Sequence, residues 1–167
     1  MGFERAQEGP EVRNWLTTHY PHYEPDVEPW HIYLQRQYKH AVDGIAVGDR
    51  VFFYEFATRR ARKDRAQKPD GAQGVVRVGF VAGPLFKNTE GTTEYDDGGD
   101  AEWCWEVPAD RFEVDGFVAR ERLCELLGYK RNYTFRGFSG GTGVKQIGAM
   151  QADQLLSAFR RREAKDA

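Results

Sequence analysis

The chain has 167 residues, of which 40% are hydrophobic and 14% aromatic, and its formal net charge is −2. A chain of this length can bury a core as one domain without disulfides or structural metals. It contains no apolar run of the roughly 18 residues that a membrane span needs, and its polar, charged N-terminus carries no secretory signal. Cys104 and Cys124 lack metal-site spacing, as expected of free thiols in a reducing compartment. Composition therefore predicts a cytoplasmic protein without a membrane segment, a metal or a cofactor.

The small net charge conceals an uneven distribution. A basic segment contains Arg59, Arg60, Arg62, Lys63, Arg65 and Lys68. An acidic segment follows it, with Glu90, Glu94, Asp96, Asp97, Asp100 and Glu102. Because the two segments nearly cancel, the net charge does not exclude a basic face that meets a polyanion. The acidic segment lacks the spacing of a calcium loop, so a solvated loop is the simpler interpretation.

The first part of the chain predicts a strand, a loop and a helix. Residues 13–20 are aromatic and β-branched and end at a proline, which predicts a strand. Residues 21–29 contain three prolines, which exclude both a helix and a sheet ladder. In residues 30–41 most apolar side chains share one helical face, which favours a short helix over a strand.

A long hairpin forms the centre of the predicted fold. Residues 51–56 are almost all β-branched or aromatic, which is typical of a buried central strand. Gly48 and Asp49 precede this strand and are turn residues, because glycine tolerates positive φ and aspartate bonds to its own backbone. Residues 74–82 form a second such run beyond the basic segment. The two runs predict an antiparallel hairpin with a long loop.

The second half predicts short strands separated by turns and two helices. Residues 101–107 alternate, with Trp103, Trp105 and Val107 on one face and Glu102, Cys104 and Glu106 on the other, which is typical of a half-buried strand. The remaining predicted elements are a loop over 85–100, a strand over 111–114, a helix over 119–127 ended by Gly128, a strand over 132–138, a glycine-rich turn over 139–143, a strand over 144–147 and a helix over 152–159.

These elements predict an α+β fold. About five or six strands, mostly antiparallel, with about three short helices packed around them indicate a small β-barrel. We expect a single domain over residues 13–160, with a basic hairpin insertion at 58–73. Residues 1–12 and 161–167 are expected to be flexible ends.

Several stretches in this order resemble the EVE domain of the PUA-like superfamily, whose relatives include YTH and ASCH domains. Trp15 lies in the first strand, and a proline-containing loop follows that strand. Residues 30–39 then open with tryptophan and are rich in glutamine, arginine and tyrosine. Residues 47–54 (Val-Gly-Asp-Arg-Val-Phe-Phe-Tyr) are similar to the family's glycine-aspartate hairpin. Residues 74–81 and 140–147 resemble later strands, and a final helix follows them.

The resemblance implies that the chain binds nucleic acid and reads a modified base, methylated or hydroxymethylated, in an aromatic-lined pocket at one side of a shallow barrel. The choice between DNA and RNA stays open. A partner nuclease or another effector protein would supply any cleavage that follows recognition.

A pocket of this kind needs aromatic faces and groups that read the edge of the base. The aromatic candidates are Trp15, Trp30, Tyr33, Trp103 and Phe138, and their alternative role is core packing. Asn14, Gln35 and Gln37 are the candidates for the base edge, because each amide carries a donor and an acceptor. Their alternative role is an exposed helix face.

Binding to the phosphates of a nucleic acid needs cations on the protein, and these contribute affinity without reading the base sequence. The first candidates lie in the basic segment and are Arg59, Arg60, Arg62, Lys63 and Arg65. The second set is Arg36, Lys39, Arg136 and Lys145. A solvated hairpin loop is the competing interpretation of the basic segment.

An enzyme on the same fold is the alternative function, because one fold supports many activities. Its concrete form is an ASCH-like hydrolase of modified nucleosides, with Lys39, Glu55 and Tyr54 meeting in the pocket. A protein-interaction role for the basic segment is a third hypothesis.

Overall fold

A computed structural model describes residues 11–20, 30–57, 71–88 and 104–163. The predictions for the N-terminal ten residues, the proline-rich loop, residues 58–70 of the basic insertion, the acidic segment and the last four residues lie outside this part of the chain.

The described residues form nine strands and three helices. The strands are β1 (Asn14–His19), β2 (Ile32–Leu34), β3 (Arg50–Glu55), β4 (Gly74–Val81), β5 (Phe86–Lys87), β6 (Trp105–Val107), β7 (Ala109–Glu113), β8 (Val118–Ala119) and β9 (Val144–Ile147). The helices are a 3-10 helix (Arg36–Val42), α1 (Arg120–Leu127) and α2 (Ala149–Arg160).

The described strands form two sheets. The larger has the order β7-β4-β3-β1-β9, with β8 also paired to β4, and the smaller has the order β2-β6-β5. Only β1 and β3 are parallel among these pairs, and the predicted β3–β4 hairpin is antiparallel. The described strands do not close into a continuous barrel. The predicted α+β, barrel-like fold with mostly antiparallel strands and short helices is confirmed.

Strand β3 is buried on both faces, which explains its nearly continuous apolar sequence. Val51 and Phe53 face a core cluster that they share with the smaller sheet. Phe52 and Tyr54 face a second cluster that they share with α1 and α2. The larger sheet therefore lies between the smaller sheet and the helices, with β3 at its centre.

The two predicted α-helices are confirmed. Helix α1 ends at Gly128, whose φ of 73° is the left-handed geometry that a helix C-cap favours. Helix α2 buries Ala152, Leu155 and Phe159, part of the predicted apolar stripe. In the described part of the chain, no helix has the length and apolar character needed to cross a membrane. The Cys104 and Cys124 thiols are free and buried.

Three local predictions were wrong. Residues 32–34 form a strand instead of the start of a helix, because Ile32 and Leu34 alternate with period two and pair with β6. Residues 132–138 form turns instead of a strand, and positive φ at Phe135 (63°) and Gly137 (69°) is incompatible with a ladder. The predicted loop over 85–100 contains the short strand β5, paired with β6.

Candidate functional site

A cavity of about 190 Å³ lies where β1 ends, next to the glycine-rich turn before β9. Residues from four parts of the chain line it, and most of them are aromatic, glycine or threonine. They are Thr18, His19, Tyr20, Tyr33, Gln35, Phe56, Phe135, Gly137, Phe138, Gly141, Thr142 and Gly143. The cavity therefore lies between the ends of β1, β2 and β3 on one side and the glycine-rich turn on the other.

The aromatic walls are held by contacts with one another. The Tyr20 and Phe56 ring centroids are 4.9 Å apart. Tyr33 meets His19 edge-on, with their ring centroids 5.6 Å apart. Phe138 is 1% exposed and lies against other core aromatics. Because rings packed in this way have few alternative rotamers, the walls are preformed for a planar ligand.

The glycine-rich turn forms the opposite wall because it can approach β1 closely. The carbonyl oxygen of Gly143 accepts a hydrogen bond of 2.9 Å from the Thr18 backbone N–H and one of 3.2 Å from the Thr17 hydroxyl. Gly143 has a φ of 75°, and a Cβ there would lie 3.1 Å from the Thr18 hydroxyl oxygen. Only glycine combines this backbone conformation with this spacing. The predicted turn is confirmed, and two of its glycines, Gly141 and Gly143, line the cavity.

His19 is fixed at the back of the cavity. It is 3% exposed, and its Nε2–H donates a hydrogen bond of 2.7 Å to the His31 carbonyl oxygen. Trp30 stacks on the imidazole with a centroid distance of 5.0 Å, and Phe53 meets it edge-on. The ring therefore has one orientation, with its Nε2–H already engaged.

A buried polar cluster lies beside the cavity on the smaller sheet. Glu106 is 6% exposed, although its alternating strand predicts an outward-facing side chain. One carboxylate oxygen lies 2.5 Å from His31 Nδ1, and the other accepts a hydrogen bond of 3.3 Å from the Asn88 amide. His31 in turn lies against Tyr33, a cavity residue. The cluster thereby supports the cavity wall from behind.

The structure brings Tyr33 and Phe138, of the five aromatic candidates, to the cavity. Trp15 lies instead in the core, where it is 2% exposed and its indole N–H donates a hydrogen bond to Asp49. Trp30 is also buried, behind the cavity wall that His19 forms. Trp103 lies outside the described residues. Cavity residues that the sequence did not single out as candidates include Thr18, Tyr20 and Phe56.

Among the three amide candidates, Gln35 lines the cavity. Asn14 is buried at the other end of β1, and its Oδ1 has no hydrogen-bond partner among the described residues. Gln37 is exposed on the 3-10 helix, and its amide donates a hydrogen bond of 3.2 Å to Gln35 Oε1. Of these three amides, Gln35 alone therefore lies where it can contact a ligand in the cavity.

The four described cations of the phosphate set are all exposed. Arg36 follows Gln35, and Arg136 stands between the cavity residues Phe135 and Gly137. The Lys39 ammonium lies 4.7 Å from the centroid of the Trp105 ring. Lys145 is on β9. Arg59, Arg60, Arg62, Lys63 and Arg65 lie outside the described residues.

The catalytic trio of the alternative hypothesis does not meet in the structure. Tyr54 and Glu55 are consecutive on β3 and so face opposite sides of the sheet. Tyr54 stacks on Phe135, and burial raises the pKa of its hydroxyl. Glu55 accepts a hydrogen bond from the Ala72 N–H, and burial raises the pKa of its carboxyl group. The described residues contain no cluster of three metal-ligating side chains.

Comparison with known proteins finds similarity in structure alone. No family model and no curated protein matches the sequence. A hypothetical protein from Leishmania major is 17% identical, with a TM-score of 0.53 over 92% of this chain and 98% of that chain. Human THYN1, solved in complex with DNA containing 5-methylcytosine, is 11% identical, with a TM-score of 0.53 over 93% of this chain and 100% of that chain.

The chain shares its overall fold with these two proteins. An Agrobacterium tumefaciens protein is also similar, at 14% identity and a TM-score of 0.50 over 93% of this chain and 97% of that chain. Each alignment covers nearly the whole of both chains. At these identities the similarity extends to the fold alone, and the function has to be argued from the site.

Proposed function

We propose that the chain is a nucleic-acid-binding module that takes one methylated or hydroxymethylated base into the cavity at the end of β1. The observation that carries the proposal is the wall of this cavity, where Tyr20, Tyr33, Phe56 and Phe138 surround about 190 Å³. A base that leaves its stack needs aromatic faces to replace its neighbours. Stacking on such faces contributes about 1–3 kcal/mol per base.

The size of the cavity matches a single ring system. An apolar cavity of about 150 Å³ accepts a benzene molecule. A cavity of about 190 Å³ therefore has room for one planar base. The sugar and phosphates would stay outside, at the surface. Binding of this kind selects a splayed nucleotide over a stacked one.

Polar groups on the rim give the cavity a way to read the base edge. Gln35 has an amide donor and acceptor, and Thr18 has a hydroxyl that can act as either. The apolar walls favour a methyl group on the base, because its burial removes apolar surface from water. A hydroxymethyl group would need one of the rim polar groups as a partner.

Cations that lie close in sequence to cavity residues would hold the phosphates. Arg36 and Arg136 are next in sequence to cavity residues. The basic segment with Arg59, Arg60, Arg62, Lys63 and Arg65 follows Phe56 in the chain. Lys39 and Lys145 are two further cations, and both are exposed. Such contacts supply affinity that weakens as salt concentration rises.

Human THYN1 supports the proposal, because a protein of similar fold was solved with DNA that contains a modified cytosine. DNA with a modified base is therefore the first ligand to test, and RNA is the comparison. The proposal assigns no bond-breaking step to this chain. A nuclease or another effector protein would act on the nucleic acid once the chain has bound it.

The test is a titration of labelled single- and double-stranded oligonucleotides that carry one unmodified, methylated or hydroxymethylated base. We expect one modified base to bind more tightly than its unmodified counterpart. Tyr33→Ala should remove most of this preference, because it deletes a cavity wall. Phe86→Ala is the matched control, since Phe86 is 41% exposed on β5 and is not among the cavity residues. Equal binding of all oligonucleotides, or an equal effect of the two variants, would contradict the proposal.

A further inference from the structure

The loop that joins α1 to the cavity is rich in exposed cations. Residues 129–136 read Tyr-Lys-Arg-Asn-Tyr-Thr-Phe-Arg, and Lys130, Arg131 and Arg136 are all exposed. Lys145 on the neighbouring strand β9 is exposed as well, with its ammonium 6.0 Å from the centroid of the Tyr129 ring. We call this loop, together with its three cations and Lys145, the 129–136 surface.

These cations differ from most arginines on the helical side of the fold, which pair with a glutamate of the described residues. Arg122 pairs with Glu125 and Glu163, and Arg160 pairs with Glu113. Within the part of the chain that the structure describes, none of the four cations of the 129–136 surface forms an ion pair. Charges that are neither neutralised nor buried are available to an external polyanion.

The loop is held in one conformation by Arg120. The guanidinium Nη1 donates hydrogen bonds of 2.8 Å and 2.7 Å to the carbonyl oxygens of Arg131 and Tyr133. Inside the loop, the Tyr133 N–H donates a hydrogen bond of 2.9 Å to the Lys130 carbonyl oxygen. A fixed loop loses little conformational entropy when its cations bind, which favours affinity.

The same loop leads directly into the cavity. Phe135 and Gly137 both line the cavity, and Arg136 stands between them with an exposed side chain. A strand whose base enters the cavity must leave its sugar and phosphates at the opening. Arg136 is therefore an exposed cation directly next to two cavity residues, on the same loop as Lys130 and Arg131.

We propose that the 129–136 surface binds the phosphates of the strand whose base occupies the cavity, with Lys130 and Arg131 as contacts additional to Arg136 and Lys145. This inference rests on the proposed function, because it takes the cavity as the position of the base. It assigns an ordered binding surface on the helical side of the fold, formed by residues other than those of the basic segment.

The experiment compares two triple variants that remove equal charge. The test variant is K130Q/R131Q/R136Q, and the matched control is K87Q/R111Q/R162Q, which neutralises three exposed cations elsewhere. Binding of a single-stranded oligonucleotide with the preferred base is measured over a range of salt concentrations. The slope of log K against log salt is negative, and each lost phosphate contact makes it shallower by about 0.7. We expect the slope of the test variant to be shallower by about 2 and the control to keep the parental slope.

Binding of the free modified nucleoside separates this inference from the proposed function. The nucleoside has no phosphate, so the parent and both variants should bind it equally. If the test variant keeps the parental salt slope while the parent prefers the modified base, the 129–136 surface is overturned and the cavity stands. If the parent binds neither oligonucleotide nor nucleoside, the proposed function and this inference both fail. Unequal nucleoside binding would also overturn it, because the loop would then act through the cavity.

Discussion

The indole N–H of Trp15 donates a hydrogen bond of 3.0 Å to Oδ2 of Asp49, a carboxylate that is 3% exposed. The same oxygen accepts from the Ala46 N–H at 3.0 Å, and Oδ1 accepts from the Arg13 N–H at 3.1 Å. Asp49 thus fixes the start of β1 to the turn before β3. This explains why Trp15 packs in the core, although its place in a tryptophan-bearing first strand made it a pocket candidate.

Replacing Asp49 tests this structural role. Asp49→Ala leaves three N–H donors without their acceptor, and each unsatisfied buried donor costs about 1–3 kcal/mol. Because the Arg13 and Ala46 donors are only partly buried, we expect a loss of about 3 kcal/mol in the free energy of unfolding, measured by urea denaturation. Asp110→Ala, at an exposed position, should change it by less than about 0.5 kcal/mol. Similar effects of the two variants would show that Asp49 is not a structural anchor.

Replacing Gly143 tests the close approach of the turn to β1. Gly143→Ala places a Cβ at positive φ and 3.1 Å from the Thr18 hydroxyl oxygen. Gly128→Ala is the matched control, because Gly128 has a φ of 73° and no atom lies within 4 Å of the position that a Cβ would occupy there. Left-handed backbone costs an alanine about 1–2 kcal/mol at either site.

We expect Gly143→Ala to destabilise the fold by at least as much as Gly128→Ala and, in addition, to weaken binding of the modified nucleoside, because Thr18 and Gly143 both line the cavity. Thermal unfolding and nucleoside titration measure the two effects. If both variants bind the nucleoside as the parent does, the turn is not a wall of the binding site.

Much of the fold could be predicted because its signals are local. Strand β3 is buried on both faces, so its whole apolar run is visible in sequence. Helices α1 and α2 show their buried stripes at helical spacing. The stretch after Trp30 was misassigned because pairing with β6 decides its first part, and a cross-strand partner far along the chain leaves no local signal.

The candidate site was harder to predict because distant residues form it. Thr18 meets Gly143 across 125 positions of sequence, and His31 meets Glu106 across 75. Glu106 lies on a strand whose alternation predicts an exposed carboxylate, and only the partners His31 and Asn88 make its burial favourable. Tyr33 and Gln35 could be identified because both lie in a polar, aromatic segment. Tyr20 and Phe56 stand at strand ends, where no pattern distinguishes a wall from a core residue.

Gln35 is the residue whose amide we expect to read the base edge. Gln35→Ala removes a donor and an acceptor from the cavity, and one neutral hydrogen bond contributes about 0.5–1.5 kcal/mol. We therefore expect roughly a 3- to 10-fold weaker affinity for the modified nucleoside, with little change in stability. Gln154→Ala, at an exposed position of α2, is the control. Unchanged affinity in Gln35→Ala would remove Gln35 from the site.

Glu163 gives a prediction for the pH dependence of stability. Its carboxylate accepts hydrogen bonds from Arg122 and Arg161, and these lower the pKa of the Glu163 carboxyl group from its ordinary value of 4.5. A carboxyl group whose pKa is lowered by folding stabilises the folded state fully above its unfolded pKa. That contribution is lost as the pH falls through the folded pKa.

The measurement is the urea midpoint of the parent and of Glu163→Gln at about pH 7 and at about pH 3.5. We expect the variant to be less stable at the higher pH, and the difference to shrink at the lower pH, because protonation removes the same charge from the parent. Asp153→Asn is the control, since Asp153 is exposed on α2 and has no ion pair among the described residues. A difference between parent and Glu163→Gln that stays constant with pH would mean that packing, and not the carboxylate charge, links α1 to the end of α2.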